Sequence, residues 1–194
     1  MGKVRTPLLS FGASGKLANT LVFGSWKGLD VVREYVIPSN PNTAAQVTQR
    51  SLFSDMVSAW RNYFTSSTQR TAWNLTASVS KKAQSGFNAA MSAMMQIATD
   101  DADASFVYRL DAGAGQTGEF TLKNVDDGGT GDEAGNFEVW VGTSSTNLLY
   151  LEDKTIAGGI ITTSDLGDAG DIVYLKLRKD GQDRSGISKL TLSA

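Results

Sequence analysis

The stretch that decides the fold runs from Trp26 to Trp60 and reads WKGLDVVREYVIPSNPNTAAQVTQRSLFSDMVSAW. It begins with β-branched and aromatic residues typical of a strand and ends with the apolar spacing of an amphipathic helix. Pro38 and Pro41 end the strand, because proline donates no ladder hydrogen bond and biases the residue before it toward extended geometry. Thr43 then starts a capping-box pattern, which predicts a helix over 43–63.

The residues before this corner predict a β-hairpin. The segments 21–23 and 31–37 are rich in valine and aromatic residues, and the segment 24–28 between them has a glycine at each end. We expect a loop longer than two residues there. Trp26 lies near its tip. We expect an internal contact to cover it, since large aromatic side chains usually bury their surface within a domain, with a partner protein as the alternative.

Two more helices are predicted after the first. Ser67 and Ser85 precede helical patterns over 68–80 and 86–98 and are suitable N-caps. Trp73 is the expected anchor of the second helix. The methionine-rich stripe of the third helix is interpreted as core filling, although such a stripe can also form an adaptable binding face.

From residue 105 onward, apolar residues recur with a period of two, as in β-strands. The predicted strands are 105–111, 118–125, 136–142, 147–151, 155–162, 172–178 and 188–192. Seven short strands with glycine-rich turns predict an antiparallel β-sandwich, either Ig-like or jelly-roll-like. The fold class is therefore α+β. A β-hairpin and three-helix module occupies 1–98, an acidic linker 99–104, and the sandwich 105–194.

Composition limits the chemistry available to the chain. Among 194 residues there is no histidine and no cysteine. This excludes histidine-dependent catalytic triads, thiolate nucleophiles and the commonest zinc ligands. We predict no catalytic residue, no cofactor and no metal, and hence a protein that is not an enzyme. Carboxylates over 126–133 could hold a hard cation, but their spacing matches no defined calcium loop.

The charge is unevenly distributed. Residues 1–98 contain ten Lys or Arg and three Asp or Glu, whereas residues 99–194 contain eight and seventeen. This indicates two modules that have different neighbours. The alternative is that the helices simply carry the cations and the β-loops carry the anions. The cations are scattered without interleaved aromatic residues, so a basic face that docks on an acidic protein is favoured over nucleic-acid binding. No segment has the roughly 18 apolar residues of a membrane span.

Several spaced residues resemble a family of small proteins found in tailed bacteriophages and prophages. The matching positions are Trp26-Lys27-Gly28, Val32-Arg33, Pro38, Asn40-Pro41, Thr43, Gln46, Arg50, Phe53, Trp60, Trp73-Asn74 and Ser85-Gly86-Phe87-Asn88. The resemblance covers residues 12–95 and implies a virion or phage-morphogenesis protein without an active site. The β-region lies outside the resemblance and is similar in style to the Ig-like domains of phage capsid and tail proteins.

We therefore expect a non-enzymatic virion structural protein, assembled in the cytoplasm of a bacterial host. A capsid decoration or cement protein that docks through its basic N-terminal module fits best, because this role requires surface and symmetry rather than chemistry. The expected partners are phage capsid or tail proteins and further copies of the chain, with no membrane. A tail or neck component is one alternative. A carbohydrate- or cell-surface-binding module using Trp140 and Tyr150 is another. The candidate partner-binding residues are Trp26, Lys27, Arg33 and Arg50.

Overall fold

The computed structural model describes residues 2–3, 14–100, 104–125, 128–131 and 134–193. The chain forms two compact units, Met1–Thr43 and Ala44–Ala194. The architecture is mixed α+β. The first unit is a small sheet, and the second contains three helices followed by antiparallel sheets.

The first unit is an antiparallel sheet with the strand order β1-β4-β3-β2. Its strands are β1 (Gly2–Lys3), β2 (Gly15–Leu17), β3 (Leu21–Trp26) and β4 (Leu29–Glu34). Trp26 pairs with Leu29, so only Lys27 and Gly28 form the turn between β3 and β4. Both turn residues have positive φ, 52° and 77°, as a tight two-residue hairpin turn requires. The predicted longer loop is therefore wrong, since the ladder continues to the end of the hairpin.

The three predicted helices are confirmed, with ends that differ by at most two residues. They are α1 (Ala44–Asn62), α2 (Ser67–Val79) and α3 (Gly86–Asp100). The N-cap of α2 is Ser66 rather than the predicted Ser67, and its hydroxyl accepts a hydrogen bond from the N–H of Gln69 at 3.4 Å. Ser85 caps α3 as predicted, because its hydroxyl accepts from the N–H of Asn88 at 3.3 Å.

Two antiparallel sheets follow the helices. The three-stranded sheet has the order β5-β6-β9, and the five-stranded sheet has the order β11-β10-β7-β8, with β12 also paired to β10. The strands are β5 (Ser105–Ala112), β6 (Gly118–Asn124), β7 (Asn136–Ser144), β8 (Asn147–Thr155), β9 (Ile160–Thr162), β10 (Ile172–Lys179), β11 (Gln182–Asp183) and β12 (Ser188–Thr191). All seven predicted strands overlap an observed one. The sequence did not indicate the two-residue strand β11, and the segment predicted as 155–162 is divided between the end of β8 and β9.

The helices and the β-strands of the second unit share a hydrophobic core. Phe64, two residues after the end of α1, stacks on Trp60 at 4.9 Å and on Phe106 of β5 at 5.5 Å between ring centroids. Ala104, at the end of the predicted linker, is fully buried, and α3 continues to Asp100. The division of the structure therefore differs from the predicted one. The helices belong with the strands after them, because burying the helical face requires those strands.

A second buried cluster contains side chains from both C-terminal sheets. Phe120 and Leu122 of the three-stranded sheet lie in it together with Val139, Leu175 and Leu177 of the five-stranded sheet. These positions alternate with less buried residues along each strand. The period-two pattern of the sequence therefore identifies the inward-facing side chains correctly.

Helix α2 packs directly on the backbone near the C-terminus. A Cβ atom at Gly186 would lie 2.8 Å from the carbonyl carbon of Ala72 and 2.9 Å from the backbone nitrogen of Trp73. Trp73 is only 2% exposed, which confirms its predicted role as the anchor of this helix. The position of α2 against the strands therefore depends on the absence of a side chain at residue 186.

Candidate interaction surface

Among the described residues of the first unit, no second layer packs on the N-terminal sheet. None of residues 14–43 is buried, and the sheet exposes large apolar side chains. A sheet normally buries one face against another element. The sheet is therefore the candidate interaction surface in the described part of the first unit.

One face of the sheet combines apolar residues with cations. Cross-strand pairing places Val22 between Arg33 and Lys16, and pairs Trp26 with Leu29 at the end of the hairpin. We call this surface the basic face; it comprises Lys16, Val22, Trp26, Leu29, Val31 and Arg33. A shallow groove of about 310 Å³ lies along it. Trp26 and Leu29 are 64% and 49% exposed, so this face presents apolar area beside two positive charges.

The opposite face combines apolar residues with carboxylates. Cross-strand pairing joins Phe23 to Val32 and Leu21 to Glu34, and Leu17 of β2 lies beside Leu21. We call this surface the acidic face; it comprises Leu17, Leu21, Phe23, Asp30, Val32 and Glu34. Within the described strands β2 to β4, the cations lie on one face and the carboxylates on the other. The separation follows from the alternation of side chains along each strand.

Three of the four predicted partner-binding residues come together on or beside the basic face. Lys27, in the hairpin turn, has its Nζ 5.9 Å from the centroid of the Trp26 ring, while Arg33 lies on β4. Trp26, for which we expected a covering contact, is 64% exposed. Arg50 belongs to α1 in the second unit.

Helix α1 carries its own exposed apolar stripe. Val47 and Phe53 are 52% and 49% exposed, and Arg50 lies between them at a spacing of three residues. Residues at this spacing share one side of a helix. Phe53 fits the apolar spacing from which this helix was predicted, but residues 44–51 are all exposed, so the first two turns of α1 extend beyond the core. We call Val47, Arg50 and Phe53 the α1 stripe.

The outer face of the five-stranded sheet carries the aromatic pair that the sequence singled out. Trp140 and Tyr150 meet edge to face with 6.2 Å between ring centroids, and the guanidinium of Arg178 lies 5.4 Å from the Trp140 ring. The indole N–H of Trp140 donates to Glu138 Oε2 at 2.9 Å. The pKa of Tyr150 is raised, chiefly by desolvation of the phenolate and then by its hydrogen bond with Asp153.

Arg178 also lines a polar cleft next to this face. The cleft has a volume of about 290 Å³ and lies between α2, α3 and the turn from β10 to β11. Arg178 forms an ion pair with Asp183 at 3.1 Å, and Lys176 forms another with the same carboxylate at 2.6 Å. Both cations are therefore held by one acidic residue, and since Lys82 also lines the cleft, its lining carries a net positive charge.

No cluster suited to metal binding is present in the ranges the structure describes. The acidic loop considered at the sequence level, with Asp126, Asp127, Asp132 and Glu133, lies outside the described residues. The described helices include none that is both long enough and apolar enough to cross a membrane.

These features define a mixed α+β protein whose N-terminal sheet exposes apolar side chains on both faces. Residues 12–148 match a family of unknown function (DUF6266), and because this is more than half of the chain, the protein belongs to that family. The match continues past residue 98 into β8, across the boundary that the sequence suggested. No curated protein and no solved structure matches the chain.

Proposed function

We propose that this chain is a non-enzymatic structural protein of a bacteriophage virion. The observation that carries the proposal is the N-terminal sheet, in which no residue from 14 to 43 is buried and both faces expose apolar side chains. Apolar surface in water costs about 25 cal/mol per Å² relative to the same surface covered. Clustered exposed apolar residues mark interaction sites. A protein that is completed by its neighbours suits an assembly role.

The resemblance of the stretch from Trp26 to Trp60 to phage and prophage proteins supports the virion as the place of this assembly. Within that class, we favour a capsid decoration or cement protein, made in the bacterial cytoplasm, that docks on the particle through its basic N-terminal half. The absence of histidine and cysteine from the sequence agrees with a role through surfaces. A tail or neck component is the alternative within the same class.

Particle fractionation tests the proposal. Particles of the phage or prophage that encodes the chain are purified on a gradient, tails are removed, and the protein is quantified by mass spectrometry in each fraction. Hundreds of copies on isolated heads support decoration. A handful of copies, or presence in tails only, contradicts decoration and favours the tail or neck. Absence from all particle fractions overturns the virion assignment.

Substitutions locate the docking surface. Trp26→Ser, Lys27→Glu, Arg33→Glu and Arg50→Glu each change an exposed partner-binding candidate, and we expect fewer copies per particle for each. Lys189→Glu, an exposed position on β12, is the matched control for a change of charge elsewhere. Copy numbers that fall only for Arg50→Glu would assign docking to the α1 stripe rather than to the sheet.

Carbohydrate or cell-surface binding is a second candidate, favoured by the outer face of the five-stranded sheet. Tyr150 is 53% exposed beside Trp140, and charged side chains that can hydrogen-bond to hydroxyl groups surround the pair. A glycan array with the purified protein tests this reading. Specific binding that Trp140→Ala abolishes and Trp26→Ala leaves intact would favour it, whereas an array without any specific signal would dismiss it.

We also propose that the C-terminal region is a β-sandwich of Ig-like or jelly-roll-like type. In support, Phe120 and Leu175 come from different sheets and lie in one buried cluster. An experimental structure with the two sheets on opposite sides of this cluster would bear out the sandwich. A single continuous barrel would contradict it.

A further inference from the structure

We propose that the N-terminal sheets of neighbouring copies stack on one another, so that the basic face of one copy covers the acidic face of the next. This inference rests on the same exposed sheet as the proposed function, and the partner that it names is a second copy of this chain. A sheet occupied in this way affects the copy number on the particle through contacts between copies, and the α1 stripe affects it through contact with the particle.

The first argument is the exposure of both faces. A sheet at the surface of a domain needs cover on one face only, and its other face is normally polar. Here Trp26 and Leu29 are exposed on one face and Leu17 and Leu21 on the other, each by at least 39%. A single partner would cover one face and leave the second in water. Two neighbours, one on each side, cover both.

The second argument is charge complementarity. Lys16 and Arg33 lie on the basic face, Asp30 and Glu34 on the acidic face, and no ion pair joins these four within the described residues. Two cations of one copy thus face two carboxylates of the next. Stacking basic face on basic face, or acidic on acidic, would set like charges against each other, which opposes association. The charges therefore select head-to-tail stacking.

The third argument is geometry. Lys16 and Arg33 flank Val22 across the strands, which places them about 10 Å apart, two strand spacings. Asp30 and Glu34 are four residues apart along β4, about 13 Å. The pair of cations is therefore directed across the strands, and the pair of carboxylates along a strand. The two pairs become parallel when the strands of one copy cross those of the next at about 90°, which is one of the two packings that sheets adopt.

The size of the contact indicates how the copies associate. Strands β3 and β4 have six residues each and β2 has three, so a face measures about 14 by 20 Å at its widest. One contact therefore buries at most about 600 Å² in total, half or less of a standard stable interface. A single contact is therefore weak, and each copy gains by using both faces. Because the two faces differ, the contact is heterologous and generates a ring or an open stack rather than a closed dimer.

Charge reversal tests the inference on the full-length chain. Lys16→Glu with Arg33→Glu makes both faces acidic, and Asp30→Lys with Glu34→Lys makes both faces basic. Because each contact is weak, sedimentation velocity over a range of concentrations is expected to show association of the wild type that increases with concentration. Each double variant alone is expected to stay a monomer, and an equimolar mixture is expected to assemble again, since acidic faces then alternate with basic ones. High salt should weaken the assemblies.

The controls separate this inference from a folding effect and from the virion proposal. Arg61→Glu with Lys189→Glu reverses two exposed charges outside the sheet and should assemble as the wild type does, and circular dichroism should show all variants folded. A wild type that remains monomeric, double variants that assemble alone, or a mixture that stays monomeric would each overturn the stacking. A monomeric protein still recovered on particles would overturn the stacking and leave the virion proposal standing.

Discussion

The backbone N–H of Ile187 donates a hydrogen bond to Thr76 Oγ1 at 2.7 Å, which joins two residues 111 positions apart. The same hydroxyl donates to the carbonyl oxygen of Ala72, one turn earlier in α2, at 2.9 Å. A hydroxyl can accept and donate at once, so Thr76 satisfies both neighbours. This polar contact and the close approach at Gly186 attach α2 to the segment that leads into β12.

Thr76→Val should destabilise the second unit by about 1–2 kcal/mol, because the variant keeps the shape of the side chain but leaves the Ile187 N–H without its acceptor. Thr76→Ser retains the hydroxyl and should lose clearly less. Urea unfolding followed by circular dichroism measures both. A valine variant as stable as the wild type would show that water replaces the hydroxyl without loss.

The shared core predicts which fragments fold. Residues 44–194 contain the helices together with Phe106 and Val125, which complete the cluster around Phe64, so this fragment should unfold in one cooperative transition. Residues 1–98 retain the helices without those strand residues and should lack a cooperative transition. Thermal unfolding of both fragments by circular dichroism measures this. A cooperatively folded 1–98 fragment would restore the boundary expected from the sequence.

The sequence was most informative where local chemistry decides the structure. Ser85 identified the start of α3 because capping depends on adjacent backbone groups, and the alternation of Val139 with Trp140 identified the inner and outer faces of β7. The same local reasoning assigned Trp26, Lys27 and Arg33 to one hairpin, and the structure places them on or beside one face.

The sequence was least informative where distant residues decide the structure. The domain boundary could not be located from the acidic composition of 99–104, because the packing of Phe106 on Phe64 joins separate parts of the chain. Phe53 fits the periodicity of a core stripe, yet the strands do not reach that end of α1. Strand β11 has two residues, too few for any period to show.

Gly186→Ala should destabilise the protein by about 1–3 kcal/mol, because a Cβ atom 2.8 Å from the Ala72 carbonyl carbon forces helix and loop apart. Gly24→Ala is the matched control: it adds the same methyl group where no atom lies within 4 Å and where φ is not positive. Urea unfolding measures both variants. If both variants have the same free energy of unfolding, α2 can move away from residue 186 without loss of stability.

The carboxylate of Glu152 on β8 links the edge of the five-stranded sheet to the segment after β9. It accepts hydrogen bonds from the N–H of Ser164 at 2.5 Å and from its hydroxyl at 2.6 Å, and it forms an ion pair with Lys154 at 3.1 Å. Desolvation raises the pKa of Glu152, but the bonds from Ser164 and Lys154 outweigh it, so the pKa lies below its ordinary value of 4.5. The folded state therefore favours the ionised form.

Because the folded pKa of Glu152 is lowered, the unfolded chain binds more protons in the window between the folded pKa and 4.5. The ionised carboxylate of Glu152 therefore adds its full contribution to the free energy of unfolding above that window, and this contribution is lost as the pH falls through it. Glu152→Gln should cost about 1 kcal/mol at neutral pH, because its amide has one acceptor oxygen for the two bonds from Ser164, the bond that remains is neutral, and the ion pair is lost. Urea unfolding at a series of pH values should show that the free energy of unfolding declines less steeply with acid for the glutamine variant than for the wild type, with the two curves converging below the folded pKa.

The control variant Ser164→Ala removes one donor and keeps the carboxylate, so its free energy of unfolding should fall between those of the wild type and the glutamine variant. Parallel curves at all pH values would refute the assignment of this acid sensitivity to Glu152.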